Sequence, residues 1–465
     1  GVQLGRRGIA AVPGAGRQQG MVEDALQGIL EQGDAAVGAD QRIDAVKHLT
    51  AGFFGGLAQR RNGNVENGQA RPAAGGAQSV TKFGAGAGAA VAVAAAHDVE
   101  LARADGGVFG QQEGKTANGL VRHSERYDIV SVIDSTFAGS DAGTVLSGEP
   151  LGIPLVGSLD DALALRPTTP DYLIWGAAPA DGLLTTPQRD VLLEAIAHGM
   201  HIINGLHELL GDDDELAAAA LESDVTITDI RRQKATKDLH LFSGSIFTVT
   251  CPRIAVLGTD GSIGKRTTAT LLVQALNERG LHAVLVGTGQ TTIIQGGAYG
   301  AAVDAMVPQF RSGEVEHQVV LAFDTERPDV IIVEGQGSLS HPAYLSSGAI
   351  IRGSQPDGVI VQHAPARRVR DDFPFMPMPT LAHEIALIEL FAQSRVIGIT
   401  INHEGMTDDE VSIAIADYAA EFDLPVTDAL TRPIDALADM VIAAFPALDL
   451  SAETPTTMRR ESSSC

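Results

Sequence analysis

Cysteine is nearly absent: Cys251 and Cys465 are the only two in 465 residues. That excludes a disulfide framework and shows no metal-ligand spacing, so no structural metal is expected and a reducing compartment is. A long hydrophobic run is also missing, which excludes a spanning helix of about 18 or more apolar residues. The N-terminus lacks the charged-then-apolar order of a signal peptide, and the cytoplasm is the expected location. Positive charge is scarce. With 33 Lys+Arg against 58 Asp+Glu the net charge is -25 and the pI about 4.8, which opposes extended contact with nucleic acid or an anionic membrane. A small-molecule partner is the remaining expectation. The 44% hydrophobic content is enough for two cores of ordinary size and permits a homo-oligomer.

These scarcities are unevenly spread. Residues 1–113 hold 10 Lys+Arg and 11 Asp+Glu, so nearly all the net charge lies beyond them. The same stretch has no Trp or Tyr, begins without Met, and carries 22 of the 52 glycines, in segments such as "KFGAGAGAAVAVAAAHD". It reads as a disordered extension, an atypical domain, or translation upstream of or out of frame with the true start. Because the stretch lacks Trp, Tyr and patterned strands, it is expected to pack poorly, and removing residues 1–105 to leave stability nearly unchanged.

From residue 114 the chain alternates. Short apolar runs, "YDIVSVID", "GIPLVGS", "DYLIWGA", "MHIINGL" and "DVTITDI", are bounded mostly by Gly, Pro or Asp and separated by helical segments. "TPQRDVLLEAIAHG" is one such helix, with Thr186 as its expected N-cap and Gly199 as its stop. The pattern predicts a Rossmann-like parallel-sheet domain over 114–248. The dinucleotide fingerprint G-x-G-x-x-G is missing, which disfavours bound NAD.

A second α/β domain is expected over 249–450, followed by a disordered tail over 451–465. It opens with strand "RIAVLG", loop "TDGSIGK" and helix "RTTATLLVQALNERG", the order of a P-loop NTPase-like domain. Gly258, Thr259, Gly261, Ser262, Ile263, Gly264, Lys265, Arg266 and Thr267 are the expected phosphate-binding residues: backbone N–H groups and a helix N-terminus converge on phosphate oxygens, and the lysine adds a mobile charge. Two letters depart from a Walker A loop. Gly258 comes one residue early, and Arg266 stands where a Ser or Thr would give its hydroxyl to magnesium. Such a loop suits a pyrophosphate ligand that needs no γ-phosphoryl chemistry, coenzyme A among them, unless Thr267 or Thr268 reaches a metal after a small shift. Further on, "VIIVEGQG" ends a buried strand in Glu334, at the edge where open parallel sheets place ligands. Glu334 is a metal-site carboxylate, a general base, or a partner of the loop, and Asp260 has the same ambiguity.

"GTDGSIGK" and "VEGQG" resemble dethiobiotin synthetase-type P-loop proteins. A broader resemblance, over roughly residues 114–447, is to the D-glutamate N-acetyltransferase family, through "GKTANGLVRHS", "VIDSTFAGSDAG", "GTDGSIGKRTTA", "TGQTTIIQGG" with Asp304, and "VEGQGSLSHPAY". That family has Rossmann-like and P-loop domains, and the resemblance implies acetyl transfer from acetyl-CoA, as co-substrate, to the D-glutamate amine. Glu334 or Asp260 is then the expected base, N–H groups near Gly335 to Gly337 the oxyanion donors, and Arg231, Arg232, Arg352 and His363 the groups that receive carboxylates. The chain departs from the family at the front, where "DGGVFGQQE" replaces the expected opening strand. The alternative function is an ATP- and magnesium-dependent kinase or ligase of the dethiobiotin synthetase type.

Overall fold

The alternation of short apolar runs with helices builds two parallel sheets. A computed structural model describes the backbone of residues 89–94 and the residues 108–111, 113–177 and 182–449, all within one compact unit, 82–465. The first sheet has the order β3-β2-β1-β4-β5-β6 and every neighbouring pair is parallel. Its strands are β1 (Ala89–Ala94), β2 (Tyr127–Ile133), β3 (Leu155–Val156), β4 (Tyr172–Trp175), β5 (His201–Asn204) and β6 (Ile227–Asp229). This is the order of dinucleotide-binding sheets, in which the chain reverses direction between β1 and β4.

The position of β1 corrects the expected boundary at residue 114. The opening strand lies about twenty residues earlier than anticipated, in the "AAVAVA" of the glycine-rich stretch, and it pairs with β2 on one side and β4 on the other. Alternating Ala and Val has strand character, but without bulky residues it resembles low complexity. "DGGVFGQQE" is not a missing strand either. Val108 and Phe109 from it are buried in the first core, and the Phe109 N–H donates to Asp134 Oδ2 at 3.0 Å. Residues 1–88 and the tail 451–465 lie outside the described residues.

The expected helix spans Thr186–Ala197, capped one residue before the anticipated position: Thr185 is the N-cap, and its N–H donates to Gln188 Oε1 at 2.9 Å. Segment 240–246 then crosses to the second half. Two buried glutamates on the helix Pro308–Glu326 hold it, Glu314 accepting from the N–H of His240 at 2.7 Å and Glu316 from those of Ser243 and Ile246 at 2.6 and 3.1 Å.

The second sheet has the order β15-β14-β11-β7-β10-β8-β9, again all parallel. Its strands are β7 (Arg253–Gly258), β8 (Ala283–Gly287), β9 (Tyr299–Gly300), β10 (Val330–Glu334), β11 (Gly358–His363), β14 (Arg395–Ile401) and β15 (Val426–Asp428). Apolar clusters cover both of its faces, so β7, β10 and β11 read as continuous hydrophobic runs. A two-stranded antiparallel hairpin, β12 (Val369–Arg370) and β13 (Phe373–Pro377), follows β11. The polar segment after β8 forms a short helix, Gln290–Gln295. Its Ile294 is fully buried in the core of the first half, and burying such a side chain is worth about 1.5–3 kcal/mol. Among the described residues no helix is long and apolar enough to cross a membrane.

Candidate active site

The P-loop joins the C-terminal end of β7 to the helix Lys265–Glu278, through Gly264 at φ 102°, a conformation that favours glycine. Gly258 has its own reason to be glycine, since a Cβ there would lie 2.7 Å from the Gln362 carbonyl oxygen. Side chains tie the loop's carbonyls from outside. Lys265 Nζ donates to Asp260 O, Arg367 to Gly261 O at 2.9 Å and Ser262 O at 3.4 Å, and Asn402 to Ile263 O at 3.1 Å. The N–H groups of Gly261, Ser262, Ile263 and Gly264 donate no hydrogen bond among the described residues. Carbonyls held and N–H groups unused is the arrangement of an anion cradle. Lys265 is buried, which pushes its pKa down to about 8.

Other loop residues are spoken for. The Thr259 N–H donates to Gln362 O at 3.1 Å and its hydroxyl bonds His363 Nδ1 at 2.9 Å. Thr268 donates its hydroxyl to Gln362 at 2.6 Å, while Thr267 is half-buried. Arg266 does not serve the loop. Its guanidinium donates to Gln295 Oε1 at 2.6 Å, and Gln295 in turn donates to Gly119 O and His123 O at 2.8 and 2.7 Å, on the helix Lys115–Arg122 of the first half and its C-cap. The fit is close enough that a Cβ on Gly119 would lie 2.5 Å from the guanidinium. The residue expected to grip phosphate is a brace between the two halves.

The two carboxylates proposed from the sequence have different surroundings. Asp260 Oδ2 takes Arg367 at 3.1 Å and the Asp371 N–H at 2.9 Å, while Oδ1 faces Arg370 at 3.5 Å and His341 Nε2 at 4.0 Å. Two guanidiniums and a backbone N–H occupy this carboxylate, which ties it to the segment 367–371 rather than leaving it open to a substrate. Glu334 ends β10 beside β7, and its Oε2 accepts from Thr288 N at 2.9 Å, Gly289 N at 3.3 Å and the Thr292 hydroxyl at 2.9 Å. Its Oε1 has no hydrogen-bond partner among the described residues. Gly335 must be glycine, because a Cβ there would overlap the Val256 carbonyl of β7.

The groups nominated for substrate carboxylates do not assemble. Arg231 is buried and paired with Asp304 at 2.7 Å, and it also donates to Gly205 O and to Gln290 Oε1. Arg232 pairs with Asp229 and Asp212 on the first half, at 2.8 and 3.0 Å. Arg352 is exposed and lies over the Phe391 ring at 4.6 Å. His363 is packed behind the loop against Tyr418, and burial pushes its pKa down to about 4. A neutral, enclosed imidazole is no carboxylate receptor. Of the four, only Arg231 reaches across the crevice between the halves, to Asp304 and Gln290 of the P-loop half.

Several groups around Asp260 and Asp304 escaped the sequence reading. Arg367 and Arg370 belong to "ARRVRDD", a dense charge run in an acidic chain that was a usable signal. Arg370 also donates to Ser338 Oγ at 2.9 Å, leaving its buried Nε without a partner. His341 stacks on Tyr344 with centroids 4.4 Å apart and accepts the Ala343 and Tyr344 N–H groups on Nδ1, which places its proton on Nε2, toward Asp260. His207 lies 3.8 Å from Asp304; burial, and then the charge of Arg231, lower its pKa.

Residues 240–438 match the family model described as a domain of unknown function, DUF1611_C, P-loop domain, and residues 135–233 match DUF1611_N, Rossmann-like domain. A relative from a Pseudoalteromonas species, named D-glutamate N-acetyltransferase, is 30% identical over 271 residues, 57% of this chain and 79% of the relative. Another of the same name, from Tritonibacter scottomollicae, is 30% identical over 294 residues, 60% and 84% of the two chains. The chain belongs to the DUF1611 family. A solved DUF1611 family protein from Anabaena variabilis superposes with a TM-score of 0.67 at 32% identity, covering 76% of this chain and 99% of that one. The P-loop domain carries the anion cradle and Glu334, and the Rossmann-like domain meets it through Arg231 and the helix 115–122.

Proposed function

We propose that the protein is an N-acetyltransferase that moves acetyl from acetyl-CoA to the amine of an acidic amino acid, D-glutamate first among them. The observation that carries this reading is the P-loop itself, whose N–H groups are unused and whose lysine is followed by an arginine turned away to another task. It suits a phosphate-bearing ligand that brings no metal-dependent phosphoryl chemistry. The names of the two relatives support the acceptor.

In this reading Lys265 and the N–H groups of 261–264 hold a phosphate of acetyl-CoA. Glu334, with one oxygen fixed by three donors and the other open, takes a proton from the substrate ammonium. The freed amine attacks the thioester carbonyl, backbone N–H groups near Gly335 to Gly337 receive the oxyanion, and collapse breaks the C–S bond, the nitrogen's second proton passing to the departing thiolate to give the amide and free thiol. Asp260 is a structural carboxylate that holds the hairpin arginines against the loop. The ATP-dependent alternative needs a magnesium-ligating hydroxyl, and Thr268 is engaged with Gln362.

The test is to incubate the full chain with acetyl-CoA and a panel of amino acids and to follow thiol release with and without EDTA. Release with D-glutamate that persists in EDTA is expected. Turnover that requires ATP, or that EDTA abolishes and magnesium restores, refutes it.

A further inference from the structure

Two groups in the crevice have no role in the acyl transfer just described. Lys115 is the first residue of the helix 115–122, whose N-cap, Gly114, offers no side-chain cap. It is exposed to solvent beside Thr116, whose hydroxyl bonds that of Thr291 on the P-loop half at 3.2 Å. Burial and then Arg231 lower its pKa, opposed by Asp372, Asp371 and Asp304. Despite these neighbours its ammonium makes no ion pair within 4.0 Å and no hydrogen bond among the described residues.

Asp304, across the crevice on the P-loop half, is the complement. Its Oδ2 receives both Arg231 bonds, at 2.7 and 3.2 Å, and lies 3.8 Å from His207 Nε2. Its Oδ1 is buried without a hydrogen-bond partner among the described residues, a condition that costs stability when nothing fills it. Burial, which acts upward on the carboxyl, is outweighed by Arg231, so its pKa lies below the ordinary value and it remains an acceptor. A cation and an anionic oxygen thus sense each other's charge without pairing. A ligand carrying carboxylate and ammonium on one carbon satisfies both.

We propose that this crevice is the amino-acid subsite, where Lys115 receives a carboxylate of the acceptor and Asp304 Oδ1 accepts an N–H of its ammonium, with Arg231 holding Asp304 in place. The inference rests on the acceptor being an amino acid, as read above. Asp304 is tied to the base through the backbone: the N–H of the preceding Val303 donates to Thr288 O at 3.0 Å, and the Thr288 N–H donates to Glu334.

Because Asp304→Asn also disturbs Arg231, the Lys115 side chain is the cleaner probe. Lys115→Met is expected to raise KM for D-glutamate by about tenfold or more, the loss of one charge-assisted contact. KM for acetyl-CoA should stay within about threefold and the melting temperature should not move; Lys115→Arg should recover most of the loss. Calorimetric titration of D-glutamate into the parent and Lys115→Met proteins separates this idea from the transferase reading. Unchanged KM and equal binding in the variant overturn the subsite and leave the transferase standing. If the parent releases no thiol, the transferase reading fails, and weaker D-glutamate binding by Lys115→Met still supports the subsite. No binding of D-glutamate by the parent overturns the subsite.

Discussion

The two halves share one plan, a parallel sheet with its earliest strand in the middle, and they differ in where their chemistry lies along the chain. In the P-loop half, β7, the loop and its helix are contiguous, so strand, anion cradle and lysine are read within 26 residues, Arg253 to Glu278. In the Rossmann-like half the middle strand is "AAVAVA", and the groups that reach the crevice, Lys115, His207 and Arg231, are scattered over more than a hundred residues. A site built from contiguous backbone is visible in sequence; a site built by tertiary convergence is not.

Removing residues 1–105 breaks the comparison most severely. β1 pairs on both sides, with β2 and β4, so its loss leaves two raw strand edges inside one sheet. The truncated chain is expected to lose the cooperative unfolding of its Rossmann-like half, or to melt more than about 5 °C lower. An unchanged circular-dichroism melt shows that the first sheet does not need its middle strand.

Glu334→Gln comes next. It keeps the shape and removes the base, so turnover is expected to fall about a hundredfold or more, the lower end for general-base catalysis, while acetyl-CoA still binds. If Glu334→Gln turns over within a few-fold of the parent and Asp260→Asn is dead, the roles of the two carboxylates are exchanged.

The smallest effect concerns the loop lysine. With its pKa pushed down to about 8 by burial, Lys265 is charged below that pH and loses its proton above it. Acetyl-CoA affinity is therefore expected to be level below about pH 8 and to weaken by up to tenfold per pH unit above it, because one proton is linked to binding. Titration calorimetry from pH 7 to 9.5 reads this directly, and Lys265→Ala should flatten the profile. A parent profile that is already flat removes the lysine from phosphate binding.

Much of the fold was legible. β2 and β7 fall on their expected runs, the loop and Glu334 lie where the motifs put them, and the division into Rossmann-like and P-loop halves holds. What escaped was direction. Arg352, Arg232 and His363 were sound choices by residue type, but nothing local says that Arg352 covers Phe391, that Arg232 closes on Asp229, or that His363 faces Thr259. Arg367 and Arg370 were missed for the same reason, since Asp260 precedes them by 107 and 110 positions. β1 was missed because small residues carry the strand period without the bulk that usually marks it.

Arg266 and Gln295 have a consequence for anyone who recombines these domains. The linkage through Gln295 to Gly119 and His123 makes the phosphate-loop helix and the helix 115–122 a matched pair, with Gly119 shaped to the guanidinium it meets. A chimera that exchanges one half and keeps the other inherits a half-buried arginine facing the wrong surface. The smallest interchangeable part is therefore not a domain but a cross-boundary set, the helix 115–122 together with Arg266 and the helix 290–295, which must be transplanted or redesigned as one piece.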